Sequence, residues 1–399
     1  MSHSTSVLSI HIPPTIYTSG SYVEGEIHLN FRSLQDEPID EVRISLRGRA
    51  KAVLADRLND NPRKQEARML VDTSRVLWTY GAEYPPPGSD TLRLFFRLKL
   101  PYNLPPSIYY SGHLKAASVV YSLETVGLRR GVLKSDKKIH TPLVVLQSDS
   151  VGTQLPLGLS DVPWKKFYRE QKVRKGFWGV SDPGTVRVEL LLPDVPALPL
   201  FTKIPYIIDI ITTTAPLARS KANAQPAHKA IFPPPPAIHT ELMFRLIRRT
   251  AIRAQGRYDS GDIEAVWFLG LARSGADVDT DLPEKEWAAA DETNRSGGDE
   301  VGTWIQRARF QSKMFLIVPP TFDCGFIACT YFLRLKVPFP GAGNDVALAI
   351  PVVIVSGIDR PIAREELQLR QGDRLPLDSS NSLRLATLDL PPAYWEAVH

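Results

Sequence analysis

With 399 residues, 43% of them hydrophobic and 23% charged, the chain has the composition of a folded protein with material for more than one core, which excludes a disordered or fibrous polypeptide. A net charge of +5 is too mild to argue for nucleic acid, and no apolar run approaches the roughly 20 residues a membrane-crossing helix needs. The two cysteines, Cys324 and Cys329, are an odd number of residues apart and fall on opposite faces of a strand, so they are expected as separate reduced thiols of a cytosolic protein.

The first 146 residues read as short strands separated by turn chemistry. VLSIHI (7–12) precedes a Pro-Pro break and a turn at Gly20. In YVEGEIHLNF (22–31), Val23, Gly25, Ile27, Leu29 and Phe31 share one face against Tyr22, Glu24, Glu26, His28 and Asn30. The same alternation runs through Val42, Ile44, Leu46 and Gly48 within 39–54. SRVLWTY (74–80), LRLFFRLKL (92–100), SVVYSLETVGLR (118–129) and KKIHTPLVVL (137–146) follow, with Gly, Pro, Asn and Asp in the connections. Only NDNPRKQEARML (59–70) hints at a helical turn. Many short strands and no long helical period predict an all-β sandwich over 1–146.

Between 147 and 182 the pattern lapses, and the stretch is expected as an interdomain connection with an ordered, aromatic-rich centre. Strands resume with VRVELLLP (186–193) and IPYIIDIITTT (204–214), then ELMFRLIRRTAIRA (241–254) and EAVWFLGL (264–271). TWIQRARFQSKMFLIV (303–318), FIACTYFLRLKV (326–337) and VALAIPVVIV (346–355) complete a second β-sandwich over 183–357. Two loops interrupt it, a proline-rich one at 218–239 and one at 272–302. The centre of the latter, 276–300, is expected as a mobile acidic insertion. Residues 358–399 form a polar tail, with some helix near 363–370.

That tail ends in Leu390-Pro391-Pro392-Ala393-Tyr394, a PPxY pattern. Adjacent prolines favour polyproline II, which has little entropy left to lose on docking. Its ridges fit an aromatic-lined groove of the WW type, and Tyr394 supplies an aromatic anchor with a polar tip. Chance also yields such a motif in a proline-rich chain, so its context matters.

Two β-sandwiches in tandem followed by a tail with PPxY resemble an α-arrestin (arrestin-related trafficking adaptor) of the fungal type. HIPPTIYTSGSYVEGEIHLNF is similar to the opening of the family's N-domain. PYNLPPSIYYSGHLKAASVVYSLETVGLR and FLIVPPTFDCGFIACTYFLRLKVPFPG are similar to its matching Pro-Pro-Ser/Thr segments, and REQKVRKGFWGVSDPGTVRVELLLP fits the start of its C-domain. The chain carries one PPxY where many members carry more, and no residues are assigned to the buried charge cluster that locks visual-type arrestins, so the resemblance does not extend to phosphate-triggered activation of that kind.

The resemblance implies two immunoglobulin-like, arrestin-type sandwiches. It implies a non-enzymatic adaptor, without cofactor or metal, that links membrane-protein cargo to a WW-domain HECT ubiquitin ligase for endocytosis or sorting. The partners it implies are that ligase, through Leu390, Pro391, Pro392 and Tyr394, and the cytosolic tails of transporters or receptors. The expected location is the cytoplasm, with peripheral recruitment to plasma membrane or endosomes. The alternative is an arrestin-fold scaffold or coat protein that recruits no ligase.

No catalytic motif of a hydrolase, nucleotide-binding or metalloprotease type occurs, and the histidines lack metal-ligand spacing. Two basic stretches are candidates for binding. WKKFYREQKVRK (164–175) interleaves cations with Trp164, Phe167 and Tyr168, which suits an anionic membrane surface or a solvated connection. Its Lys165, Lys166, Lys172 and Lys175 are the candidate ubiquitin acceptors. In 241–257, Arg245, Arg249, Arg253 and Arg257 fall on the odd face of a strand, about 13 Å apart, opposite Leu242, Phe244, Leu246 and Ile252. A spacing of four also aligns them along a helix, but the Leu-x-Phe-x-Leu alternation favours strand. The row is a candidate receptor for acidic cargo tails, unless the acidic insertion 277–300 covers it or it is plain solvated surface.

Overall fold

Alternating apolar residues become strands because each strand can bury one face and leave the other in water. A computed structural model describes residues 6–55, 63–129, 134–159, 161–175, 182–223, 231–271, 277–290 and 300–371. Residues 8–146 form β1 (Leu8–His11), β2 (Thr15–Thr18), β3 (Tyr22–Asn30), β4 (Glu41–Leu54), β5 (Lys64–Thr79), β6 (Thr91–Lys99), β7 (Ile108–Gly112), β8 (Lys115–Leu128) and β9 (Lys137–Leu146). One sheet has the order β1-β3-β6. The other runs β2-β9-β8-β4-β5, with β7 also on β8.

The inward sets are those read from the alternation. Val23, Ile27 and Leu29 of β3 join Val42, Ile44 and Leu46 of β4 and Val119, Tyr121 and Leu123 of β8 in one buried core. Gly48 shares that inward face for a steric reason: a Cβ there would run into the Tyr121 ring and Val71.

The second set of sheets starts earlier than the sequence suggests. Residues 164–173, expected within a connection, form β10 (Trp164–Val173), paired residue for residue with β11 (Gly184–Pro193). A charged strand at the end of a sheet needs little apolar content, because only one edge and part of one face are covered; Val173 alone is fully buried. Then follow β12 (Leu198–Pro199), β13 (Lys203–Thr213), β14 (Leu217–Ala218), β15 (Met243–Ala254) and β16 (Arg257–Leu269). After them come β17 (Asp279–Asp281), β18 (Glu286–Ala289), β19 (Val301–Phe315), β20 (Phe322–Asp323), β21 (Ile327–Val337), β22 (Val346–Val352) and β23 (Ile354–Val355).

Here one sheet is β10-β11-β13-β19-β14, with β17 and β18 also on β19, and the other is β16-β15-β21-β20, with β22 also on β21. β12 and β23 form a short parallel pair. Tyr206 and Phe244 meet edge to face at 5.0 Å between the two large sheets. The protein is an all-β sandwich fold.

Three local expectations are corrected. The helical turn suggested near 59–70 is strand where it is described, from Lys64 onward, since cross-strand pairing with β4 overrides local propensity. Within the acidic insertion, Asp279–Asp281 and Glu286–Ala289 pair with β19, whose backbone accepts them regardless of side-chain charge; residues 291–299 lie outside the described residues. From 358 to 371 the chain is packed against the body, while 372–399 lie outside the described residues. β24 (Ile362–Ala363) returns to pair with β2, and the helix Arg364–Gln371 buries Leu367. The helix expected near 363–370 is present.

Candidate functional site

β15 has the predicted parity. Leu242, Phe244, Leu246 and Ile252 are buried, and Arg245, Arg249 and Arg253 lie on the opposite face. Arg257 does not continue the row. Gln255 and Gly256 both take positive φ (47° and 77°), which makes a two-residue hairpin turn of the kind that matches strand twist. Arg257 therefore opens β16 opposite Ala254, and the chain has reversed.

The turn brings acids to the arginines. Arg249 donates through Nε and Nη2 to the two carboxylate oxygens of Asp262 at 2.7 and 2.8 Å. Arg245 pairs with Glu264. The Arg249 guanidinium lies over Phe332 (5.0 Å) and that of Arg245 over Trp267 (5.1 Å). The Arg249 hydrogen bonds hold the Asp262 carboxyl below the usual range, against the opposing effect of its partial burial, and hold Arg249 above its own. Two positions of the row are thus neutralised from β16. Arg334 of β21, directly across from Arg245, is exposed and adds a cation the sequence reading missed. The described part of the acidic insertion does not cover this face, since it pairs with β19 in the other sheet.

The lysines fall on β10 and just past it. Lys165 is 3.7 Å from Asp194, while Lys166 approaches the buried Glu189 at 2.7 Å, which Arg187 also contacts at 2.7 Å. Strand parity puts Lys165 on the face opposite Lys166 and Lys172, so they do not form one cluster. All four are exposed, Lys175 beyond the end of the strand. Tyr168 stacks under Arg187 at 4.2 Å.

Sequence reasoning missed Arg248, the bulkiest fully buried side chain among the described residues, at 1% exposure. Its Nη2 donates to the Tyr109 carbonyl of β7 at 3.0 Å, joining the two sets of sheets. Nearby, Lys115 Nζ donates to Asp259 Oδ1 at 3.0 Å, and the Tyr110 hydroxyl packs on Gly261. Arg68 lies over Phe326 at 5.3 Å. The signal was parity: Arg248 and Thr250 share the even face with Leu246 and Ile252.

Cys324 and Cys329 are free thiols, and burial pushes Cys329 up to about 11. Among the described residues no group of three or more His, Cys, Asp or Glu could hold a metal, and no helix is long and apolar enough to cross a membrane. Leu390, Pro391, Pro392 and Tyr394 lie outside the described residues. No protein-family model matches the sequence, and comparison with curated proteins returns no match.

Proposed function

We propose that the chain is a non-enzymatic adaptor that joins membrane-protein cargo to a WW-domain HECT ubiquitin ligase for ubiquitin-dependent endocytosis or sorting. The observation that carries this reading is the order of parts: an all-β body, a packed closing helix at Arg364–Gln371, then Leu390-Pro391-Pro392-Ala393-Tyr394 further along the chain. In this reading the body is two tandem arrestin-type sandwiches, over 1–146 and 183–357. Arg253 and the added Arg334, both exposed, offer acidic cargo tails a cationic face, which Arg249 and Arg245 join when a cargo carboxylate takes the place of Asp262 or Glu264. The tail motif docks a WW groove, and tethering raises the ligase's effective concentration at cargo and adaptor lysines. The adaptor works in the cytoplasm and is recruited peripherally to plasma membrane or endosomes.

A short proline motif buries little area, so affinity for one WW domain is micromolar, about −7 to −8 kcal/mol. Titrating the intact chain with an isolated WW domain tests the reading. Tyr394→Ala removes the anchor and is expected to abolish binding. Equal binding by both forms, or none by either, refutes ligase recruitment and leaves the scaffold or coat role.

A further inference from the structure

We propose that the free edge of β6 is a strand-addition site for an extended acidic segment of a partner protein, a surface separate from the arginine row on β15. β6 ends the β1-β3-β6 sheet, and among the described residues no strand pairs with its far side. It pairs with β3 over all of Thr91–Lys99 without a register shift. Its outer backbone donors and acceptors therefore form an uninterrupted ladder. Other long strands that end a sheet differ. The pairings of β5 with β4 and of β16 with β15 are each broken by two register shifts. β10 is bonded to residues 347 and 343 through Arg169 and Gln171, and Arg174 just past it to Asn344. Bulges, charges and coverage are the devices that keep an edge from pairing; β6 has no bulge against β3, and among the described residues no strand is hydrogen-bonded along its outer side.

The side chains of β6 define what fits. Leu92, Leu94, Phe96 and Leu98 are buried, leaving Arg93, Phe95, Arg97 and Lys99 outward. Phe95 is 70% exposed at the middle of the strand, flanked by two arginines, and both aromatic residues and arginine are enriched at protein interfaces. Arg97 is held by Glu24 at 2.6 Å and lies over Tyr22 at 3.8 Å. Arg93 stands across from His28 and Lys99 across from Tyr22, so neither has an acid directly opposite, while Glu26 stands opposite Phe95. A strand added parallel to β6 satisfies this edge with carboxylates opposite Arg93 and Lys99 and an apolar residue opposite Phe95.

A second copy of the chain does not fit. Antiparallel pairing of two β6 strands about Phe95 sets Arg93 against Arg97 twice, and like charges directly opposite are destabilising. The same cations that disfavour self-association select an acidic occupant.

Amide hydrogen exchange on the full chain, with and without the peptide acetyl-Asp-Thr-Leu-Thr-Ser-Thr-Asp-amide, tests this. Slowing is expected at alternate amides of 91–99, those that do not bond β3. Phe95→Ala and Arg93→Glu, both at exposed positions, are each expected to weaken the peptide roughly tenfold or more. A control peptide with proline for its three threonines keeps the charges but cannot complete the ladder, and is expected not to bind. Unchanged exchange in β6, full binding to Phe95→Ala, or equal binding of the proline peptide overturns the proposal. So does Phe95-dependent sedimentation with phosphatidylserine vesicles without peptide binding, which assigns the face to a membrane.

Discussion

Tyr121 and Tyr331 are counterparts in the two sets of sheets. Each buried hydroxyl donates to a proline carbonyl, Tyr121 to Pro105 at 2.7 Å and Tyr331 to Pro319 at 2.6 Å. Two residues past each of those prolines the match continues. Ser107 Oγ accepts the Val145 N–H at 3.0 Å while its own N–H donates to the Val145 carbonyl at 2.8 Å. Thr321 does the same with Ile354, at 3.0 and 2.8 Å. A Pro-Pro crossing lacks two backbone donors, so side chains tie it down.

Tyr121→Phe and Tyr331→Phe keep the ring and leave a buried carbonyl without its donor. Each is expected to cost about 1–3 kcal/mol, read as a lower urea midpoint with unchanged slope. An unshifted midpoint would mean that water reaches the proline carbonyl.

Alkaline pH is expected to weaken the fold. Burial pushes Cys329 up to about 11, and burial followed by the charge of Glu24 pushes Tyr17 up to about 12; Tyr121 also rises, chiefly by burial. In each case the folded state holds its proton more tightly than the unfolded one, so stability is full below the unfolded pKa and falls as pH rises through the folded value. The window runs from about 9 to 11 for Cys329 and from about 10 to 12 for Tyr17. A urea-midpoint series should decline from about pH 9, and Cys329→Ala should remove the first part of the decline. A flat profile between pH 8 and 11 contradicts this.

What the sequence made legible was the inward half of each strand. Parity alone places Phe244 and Leu246 in the core and Arg245 and Arg249 outside, because one buried face fixes the register. The turn at Gln255–Gly256 was not legible, since glutamine is not a typical left-handed turn residue. Missing that turn hid the pairing of Arg249 with Asp262, a contact set by strand register rather than by local sequence. β10 escaped notice for the opposite reason, as its charges suit solvent while its backbone is held by β11. Arg248 was hidden by the habit of placing arginine outside.

The exposed Arg249–Asp262 pair should contribute little to stability, a coupling of about 1 kcal/mol or less in a double-mutant cycle. Its effect is expected in binding. Asp262→Asn frees the Arg249 guanidinium on the face that also carries Arg334, so capture of an acidic cargo tail should strengthen at low salt and converge with the unmodified chain at high salt. Arg249→Glu should do the reverse. If both variants capture cargo as well as the parent at every ionic strength, this face is ordinary surface.

The joint between the two sets of sheets sets up the last prediction. The β7–β8 hairpin meets the β15–β16 hairpin through Arg248 on Tyr109 and Lys115 on Asp259, and the Lys115 ammonium also donates to the Ser260 carbonyl. Arg248 is fully buried while Lys115 is largely so, with 16% of its side chain exposed. The second contact is thus the one that can be reversed without emptying the core. Lys115→Asp sets two carboxylates face to face and withdraws the donor from Ser260, so the sheets should uncouple before either unfolds. Urea unfolding is expected to split into two transitions, with protease cutting between residues 147 and 163 at denaturant concentrations where the parent resists. Adding Asp259→Lys to Lys115→Asp restores opposite charges and should recover most of the lost coupling, though not the Ser260 bond. If the single reversal leaves one transition at the parent midpoint, the Arg248–Tyr109 bond and apolar packing hold the joint, and the Lys115–Asp259 pair is incidental.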